Sequence, residues 1–265
     1  MEKKNRGNLL NITFCIPIRI ESSYRMHNLE TLLKYLDQSF ETNYIVLEAD
    51  TKPHFRNAIN IQNLSYVFVK DENSIFHRTK YINQMIHLTH TPYAAIWDTD
   101  AIAPVGQIEE AYISLNTGKN TIVYPFSGVF IALNELVSLH FHESLDINNI
   151  NLSHLPCSFF YGFYSVGGAY MINIDKYLKA GGENENFYGW GPEDAERNVR
   201  IQILELGVNR IEGVLYHLYH TRGINSRDSN QDNVTNNKKE FCKICGMSKL
   251  ELYEYIETWK WNKRL

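Results

Sequence analysis

Two patterns of apolar residues take turns along the first hundred residues: short apolar runs and apolar residues at helical spacing. Four continuous apolar runs are typical of strands buried on both faces: residues 12–18, 44–47, 64–69 and 94–97. Between these runs, apolar residues recur at helical spacing in residues 29–36 and 81–88. Strands that alternate with helices predict an α/β fold with a mostly parallel central sheet.

The second half of the sequence is less regular. Residues 140–162 are rich in His, Asn and aromatic residues and predict a folded loop, whereas helical spacing returns at 195–206. Residues 223–237 are mostly Asn, Ser, Asp and Gln, which is typical of a mobile lid. We therefore predict a main domain over residues 1–237 and a helical tail over 238–265.

Composition excludes some functions and indicates a compartment. The chain has 265 residues and a formal net charge of -4, so no overall positive charge attracts nucleic acid. There is no signal-peptide pattern and no apolar stretch that could span a bilayer, so we expect a cytoplasmic protein. Residues 253–264 are aromatic and basic, and either pack against the core or contact the inner membrane peripherally.

Two acidic residues follow the fourth apolar run, in the motif Asp98-Thr99-Asp100. Ligands of parallel sheets bind outside the carboxyl ends of the strands, and hard carboxylate oxygens suit the Mg²⁺ or Mn²⁺ that accompanies a diphosphate. Taken alone, such a short motif is more often a solvated loop pair. His217 and His220 are equally weak evidence alone, but with Asp100 they predict a divalent-ion site that favours Mn²⁺.

A Gly-rich aromatic segment opens the helix predicted at 195–206. Trp190 lies between two glycines, which allow a tight turn that exposes the indole ring, and Glu193 and Asp194 fall in the first helical turn. Acidic residues are common there because they interact favourably with the helix dipole. The combination of Gly, Trp, Gly and two acids is much rarer, so we interpret it as functional.

Basic residues also lie at the ends of predicted elements. Arg19 follows the first strand, and Arg78 and Lys80 lie at a helix start. Each alone is more often a surface salt-bridge partner, but together they are suited to hold a diphosphate.

In order along residues 14–222, these motifs resemble those of the β-1,4-galactosyltransferase family and its bacterial relatives. The segments that carry the resemblance are residues 16–19 (IPIR), 76–80 (FHRTK), 98–100 (DTD), 167–168 (GG), 189–194 (GWGPED) and 220–222 (HTR). The segment 189–194 is the most specific of them. The resemblance implies a GT-A fold with a nucleotide-binding half near 10–104 and an acceptor and metal half near 105–237.

The resemblance also implies roles for these residues. Arg19 and Arg78 would contact uridine diphosphate, Asp98 and Asp100 would form the DxD motif, and Gly167 and Gly168 would lie beside the donor sugar. Trp190 would stack near the sugars, Glu193 would help to hold donor or acceptor, and Asp194 would be the catalytic base. His220 would be a metal ligand with Asp100.

Three positions depart from the family pattern. His217 stands where the family commonly has a metal-binding Met, and Pro192 replaces a Gly. Ser165 and Val166 replace the aromatic residues that help vertebrate members to select the donor, so galactose, N-acetylgalactosamine and glucose all remain open.

The resemblance implies an inverting, Mn²⁺-dependent glycosyltransferase that uses a UDP-sugar donor and a saccharide acceptor, which could be lipid-linked, in the synthesis of a surface polysaccharide. We weighed this against a non-catalytic nucleotide-sugar or glycan-binding protein on the same fold, which would bind donor without turnover. A nucleotidyltransferase is a weaker alternative because no Gly-rich loop follows the first strand.

Overall fold

The apolar runs of the first hundred residues form neighbouring strands of one large sheet. The structure is a computed structural model that describes residues 6–56, 60–150, 158–159, 163–223, 225 and 231–262. The strands are β1 (Gly7–Ile18), β2 (Phe40–Asp50), β3 (Leu64–Lys70), β4 (Tyr93–Trp97), β5 (Ala101–Ile102), β6 (Asn120–Tyr124), β7 (Val129–Ala132), β8 (Ser158–Phe159), β9 (Ala169–Asn173), β10 (Gly207–Arg210) and β11 (Val214–His217).

The main sheet has seven strands in the order β10-β6-β9-β4-β1-β2-β3. Neighbouring strands pair in parallel except β9, which is antiparallel to both β4 and β6. A smaller sheet has the order β5-β11-β7-β8. Two of its strands, β5 and β7, directly follow β4 and β6 in sequence. The predicted α/β class with a mostly parallel central sheet is confirmed.

Helices cover the sheet and connect its strands: α1 (Ser23–Ser39), α2 (Arg78–Leu88), α3 (Val105–Asn116), α4 (Glu135–Ser144), α5 (Ile174–Lys179), α6 (Glu193–Ile203), α7 (Gln231–Cys245) and α8 (Lys249–Glu257). Short polar side chains begin several of them, as where the Ser22 hydroxyl accepts the Arg25 backbone N–H at 3.3 Å. A 3₁₀ turn occupies Ile147–Asn149. The central strands are almost wholly buried, which explains their continuous apolar runs.

The irregular half differs from its sequence reading in two places. Residues 140–144 belong to α4 and not to a loop; residues 151–157 and 160–162 lie outside the described residues. The stretch read as a lid contains the start of α7 at Gln231, and α7 runs across the predicted domain boundary after residue 237. Its sequence looks like a loop because only a narrow face, including Val234 and Asn237, is buried. Residues 224 and 226–230 lie outside the described part.

The aromatic residues after α8 pack against the core. Trp259 is 2% exposed, and its ring lies where a side chain at Gly181 would have to fit. The Trp261 indole N–H donates to the Gly181 carbonyl at 3.2 Å. Across the described residues, every helix is too short or too polar to cross a membrane.

Candidate active site

A cleft of about 420 Å³ opens at the carboxyl edge of the main sheet, where β1 and β4 end and β9 begins. Eleven residues predicted for the site line it: Arg19, Arg78, Asp98, Asp100, Gly167, Gly168, Trp190, Glu193, Asp194, His217 and His220. Lys80, also predicted to help hold a diphosphate, is exposed and is not among the lining residues. Segments far apart in sequence therefore converge on one volume, as the strand-end rule predicts.

Asp98 is held by contacts with the residue before β9 and with the first residue of α2. Because β9 is antiparallel to β4 with Trp97 opposite Ala169, Gly168 lies next to Asp98, and its carbonyl accepts the Asp98 backbone N–H at 2.8 Å. The Asp98 carboxylate accepts a hydrogen bond from the Arg78 guanidinium, with Oδ1 2.8 Å from Nη2. Burial raises the pKa of Asp98, and the charge of Arg78 opposes that shift.

The pairing of β5 with β11 brings Asp100 and His217 together. These strands are antiparallel, with Ala101 opposite His217, and the Leu218 N–H donates to the Asp100 carbonyl at 2.7 Å. The Asp100 carboxylate oxygen Oδ1 consequently lies 3.6 Å from Nε2 of His217.

His220 presents its second ring nitrogen to the same carboxylate. Nδ1 of His220 lies 2.9 Å from the Thr221 carbonyl oxygen, which can only accept, so Nδ1 carries the proton. In a neutral ring, Nε2 then has a lone pair, and it lies 3.1 Å from Oδ2 of Asp100. Two lone pairs that face each other at this distance require a proton or a cation between them. A backbone carbonyl on the other nitrogen is also the usual partner of a metal-bound histidine.

These three side chains fit a divalent ion. Their ligand atoms all lie within 4.8 Å of one another. Burial lowers the pKa of His217 to about 4, so the imidazole is neutral at neutral pH. Burial opposes ionisation of Asp100, but His217, His220 and Arg25 outweigh it and hold its pKa below the usual range. One carboxylate and two imidazoles form a donor set that suits Mn²⁺ better than Mg²⁺.

A second group of potential ligands, Glu48, Asp50 and His54, lies at the end of β2. The Glu48 carboxylate already accepts the backbone N–H groups of His54 and Phe55, at 2.8 and 3.0 Å, and the Tyr66 hydroxyl at 2.6 Å. Its oxygens are thus used to hold the segment after β2, so this group reads as structural.

The two acids at the start of α6 have different surroundings. Glu193 is 9% exposed, and its Oε2 has no hydrogen-bond partner among the described residues. Burial, helped by the charge of Asp194, raises the pKa of Glu193 to about 8, so this side chain is mostly protonated at neutral pH. Asp194 instead forms ion pairs through Oδ1 with Arg197 at 2.5 Å and with Arg78 at 3.5 Å. One acid can therefore donate a hydrogen bond while its neighbour accepts.

The Gly167-Gly168 pair lets the start of β9 pass beneath these acids. A Cβ atom at Gly167 would overlap Oδ2 of Asp194. Gly168 has a φ of +87°, and a side chain there would also collide with the Phe130 ring. Both glycines are required by space, and Gly168 by its backbone conformation as well.

The two predicted phosphate-binding arginines differ in their availability. The Arg19 guanidinium donates to the carbonyls of Ala49 and Asn73 and pairs with Asp71 at 2.7 Å, and its side chain is 9% exposed. It ties the end of β1 to the neighbouring loops and shapes the wall of the cleft. Arg78 lies between Asp98 and Asp194, and its Nη1 is buried without a hydrogen bond among the described residues. Arg78 is therefore the better placed of the two to bind an anion.

Comparison with known families matches one segment of the chain. Residues 150–222 match the family model described as the N-terminal domain of galactosyltransferase. That segment contains the Gly pair, Trp190, both acids and both histidines. No curated protein sequence matches the chain.

Solved structures show the same fold. The catalytic domain of Drosophila β1,4-galactosyltransferase 7, in complex with xylobiose, has a TM-score of 0.56 and 17% identity, and the match covers 92% of this chain and 83% of that chain. A mutant of that enzyme in complex with manganese, UDP-Gal and xylobiose matches with the same values, TM-score 0.56 and 17% identity. A mannosyltransferase from Pyrobaculum calidifontis, in complex with GDP-Man and Mn²⁺, has a TM-score of 0.51 and 12% identity over 83% of this chain and 59% of that chain.

The chain has the GT-A glycosyltransferase fold, and its segment 150–222 is similar to galactosyltransferases.

Sequence reasoning missed several residues that line the cleft. Arg25 lies in α1, with Nη1 3.7 Å from Oδ2 of Asp100, and Arg222 follows His220 in the cleft wall. Tyr164 is 87% exposed at the cleft edge. Arg25 could have been found from its position, because it is a cation in the first turn of the helix that follows the first strand. Ligand-binding groups of a parallel sheet gather at such strand ends.

Asn237, in α7, supports the Trp190 loop. Its side chain, 1% exposed, accepts the Tyr188 N–H at 3.2 Å and donates to the carbonyls of Tyr188 and Trp190 at 3.1 and 3.3 Å. Gly189 turns this loop with a φ of +75°, and Trp190 remains 39% exposed. No sequence signal distinguished Asn237 from the other Asn residues around it.

Proposed function

We propose that this glycosyltransferase transfers a hexose from a UDP-sugar to a hydroxyl of a saccharide acceptor, with Mn²⁺ bound and with inversion at the anomeric carbon. The observation that carries the proposal is the convergence, in one cleft, of the Glu193–Asp194 pair with the Asp100–His217–His220 group. Galactose and N-acetylgalactosamine are the favoured sugars. The manganese and UDP-Gal in the Drosophila complex, and the Mn²⁺ in the mannosyltransferase complex, support this assignment.

Asp100, His217 and His220 would hold the ion. When bound, Mn²⁺ supplies Lewis-acid neutralisation of the charge on the departing diphosphate. Arg78, which pairs with Asp98 at 2.8 Å, adds a second positive charge to this part of the cleft.

Asp194 acts as the general base in this proposal. Its Oδ2 receives the proton of the acceptor hydroxyl while that oxygen forms a bond to the anomeric carbon. The bond from the anomeric carbon to the diphosphate oxygen breaks, and its electron pair leaves with the diphosphate. Glu193, protonated at neutral pH, donates a hydrogen bond to a sugar oxygen, and Trp190 offers its exposed face to a sugar ring.

The acceptor that we propose is a growing surface polysaccharide, carried on a lipid at the cytoplasmic face of the inner membrane. A panel of free and lipid-linked saccharides tests this part separately from the donor reaction. Transfer only to free oligosaccharides would remove the lipid carrier from the proposal.

The deciding experiment measures binding and turnover of UDP-Gal, UDP-GalNAc, UDP-Glc and GDP-Man with and without Mn²⁺. Calorimetry reports binding, and release of the free nucleoside diphosphate reports turnover. We expect Mn²⁺-dependent binding of a UDP-hexose and slow hydrolysis that saccharide acceptors accelerate. Binding without turnover under every condition would favour the alternative, a non-catalytic nucleotide-sugar-binding protein.

Asp194→Asn tests the base directly. Because Asn retains the size and the polar contacts but cannot accept a proton at neutral pH, we expect kcat to fall by about 10²- to 10⁴-fold while the donor Kd stays unchanged. Asp175→Asn is the matched control, since Asp175 is 73% exposed on α5 in a surface pair with Lys179. Near-normal turnover by Asp194→Asn would remove Asp194 from its assigned role.

A further inference from the structure

A buried arginine lies directly behind the acid assigned as the base. Arg197 follows Asp194 by three residues on α6, so both project from the same side of the helix. The Arg197 side chain is 0% exposed, and its Nη2 lies 2.5 Å from Oδ1 of Asp194. A guanidinium buried inside a protein requires a counter-charge and hydrogen-bond acceptors to remain there.

Arg197 is itself held on its other sides. Its Nε donates to Oε1 of Glu183 at 3.0 Å, and its Cζ lies 3.8 Å from the centre of the Tyr170 ring. Its Nη1 lies 3.4 Å from the Val166 carbonyl, in the segment that leads to the Gly pair. The guanidinium plane is thereby fixed by a carboxylate, a ring face and a backbone carbonyl.

Glu183 is in turn fixed by two tyrosines. Its Oε1 accepts the hydroxyls of Tyr170 and Tyr177, each at 2.5 Å, and its side chain is 1% exposed. Burial opposes ionisation of Glu183, but the charge of Arg197 and these two hydroxyls outweigh it, and the pKa of Glu183 lies below its usual range. The buried pair is therefore charged on both sides, and every contact constrains the orientation of Arg197.

The geometry leaves the two oxygens of Asp194 with different tasks. Among the described residues, both guanidinium contacts of Asp194 are made to Oδ1. Oδ2 lies over Gly167, where even one added carbon atom would overlap it. One oxygen is anchored to the protein interior, and the other lies against Gly167, which lines the cleft together with Asp194.

We propose that Arg197, held by Glu183, Tyr170 and Tyr177, is a positioning residue that fixes the Asp194 carboxylate so that Oδ2 faces the acceptor hydroxyl. The inference rests on the proposed function, because it assigns the orientation of the base in that reaction. The Arg197 side chain is fully buried and is not part of the cleft lining. Misplacement of a catalytic group by about 1 Å can cost about 10²-fold in rate, so loss of this anchor is expected to act on kcat.

The test replaces the pair and not one charge, because a single change would leave a buried charge without a partner. In the double variant Arg197→Met/Glu183→Gln, both charges are removed and the Gln carbonyl still accepts the tyrosine hydroxyls. We expect a folded protein whose kcat is lower by about 10²-fold, with the donor KM within about twofold of wild type. Arg197→Lys keeps the charge but cannot bridge Asp194 and Glu183 in the same fork, and its kcat should be intermediate.

The chain provides a matched control one turn along α6. Arg200 and Glu196 form a second buried pair, with side chains 0% and 1% exposed and a contact of 2.7 Å, and neither touches Asp194. Arg200→Met/Glu196→Gln should lose thermal stability as much as the test variant and keep the wild-type kcat. Thermal unfolding is measured for all variants alongside kinetics.

The outcomes distinguish failure of the proposed function from failure of the role assigned to Arg197. A wild-type protein that turns over no nucleotide sugar overturns the proposed function and this inference with it. An active wild type with an unimpaired double variant, or with a kcat loss equal to that of the control pair, overturns the inference alone. If the double variant does not fold, an unchanged kcat in Arg197→Lys also overturns it, and a reduced kcat at unchanged donor KM supports it.

Discussion

Single residues in the cleft are constrained by neighbours that the linear sequence does not place near them. Gly167 shows this most directly, because the missing side chain provides the space that Oδ2 of Asp194 occupies. Asn and Asp can tolerate unusual backbone angles, but no residue other than Gly can remove the Cβ atom.

Gly167→Ala should therefore impair turnover more than stability. The added methyl group pushes the Asp194 carboxylate out of place, and we expect kcat to fall by at least about tenfold, measured by steady-state kinetics with the nucleotide sugar that the donor panel selects. Gly106→Ala is the control: a Cβ atom at Gly106, in α3, has open space around it. That change should leave kcat unaltered and raise helix stability by about 0.5–1 kcal/mol. Equal kinetics for both variants would contradict the crowding argument.

The buried Glu193 carboxyl should make the free energy of unfolding depend on pH. Its pKa is raised from 4.5 to about 8 by burial, so the folded protein binds a proton that the unfolded chain releases between these two pH values. The free energy of unfolding should consequently fall as pH rises from about 4.5 to 8, with a slope of at most about 1.4 kcal/mol per pH unit from this group. In Glu193→Gln, this part of the slope should be absent.

Urea unfolding of the metal-free protein at several pH values measures this difference. The wild-type and Glu193→Gln curves of unfolding free energy against pH should diverge with increasing pH, the variant becoming relatively more stable. Parallel curves from pH 5 to 8 would show that Glu193 is ionised in the folded state.

At the scale of elements, strand ends and strand register account for most of the site. Asp98, Asp100 and Arg19 could be predicted because each follows an apolar run directly, and the order of strands in a parallel sheet gathers such positions. The register of β5 with β11, which unites Asp100 with His217, could not be predicted, since β5 has only two residues and no alternating pattern. The ligand chemistry of Asp100 with two histidines indicated this grouping instead, and the resemblance to a known family added the role of His220.

Helix α7 also could not be predicted from its sequence pattern. Its composition predicts a loop, yet its polar sequence includes Asn237, whose amide bridges two residues of the Trp190 loop. The buried arginines of α6 were also hidden, since acids and arginines three and four residues apart are usually surface pairs on a helix. Burial of a polar residue depends on its tertiary partners and leaves no periodic signal.

Asn237→Ala tests the coupling between α7 and the Trp190 loop. Loss of the buried hydrogen bonds should lower the free energy of unfolding by about 1–3 kcal/mol and, by loosening the loop, raise the KM for the sugar substrates. Asn236→Ala, exposed on the same helix, is the matched control and should change neither quantity. A stability loss without any change in KM would separate the loop from substrate binding.

At the scale of the whole molecule, the ion site joins two sheets. Asp100 follows a strand of the main sheet, whereas His217 ends a strand of the smaller one. An ion that binds only the folded state stabilises it according to its concentration, by about 2.7 kcal/mol at one hundred times its Kd.

Mn²⁺ should therefore raise the thermal midpoint of the wild-type protein in a concentration-dependent way. His217→Ala should abolish most of this increase, and His54→Ala, in the group at the end of β2, should retain it. Differential scanning calorimetry with and without chelator measures both. An equal response in the two variants would place the ion elsewhere.

The same register has a consequence for synthesis of the chain on the ribosome. Strands β1 to β4 can pair as soon as they have left the exit tunnel, but Asp100 acquires its histidine partners only after residue 220 has emerged. A nascent or truncated chain that ends earlier can thus bury much of its core while it lacks two of the three side chains grouped for a divalent ion. This group cannot assemble before residue 220 emerges, and the support that Asn237 gives to the Trp190 loop is added later still.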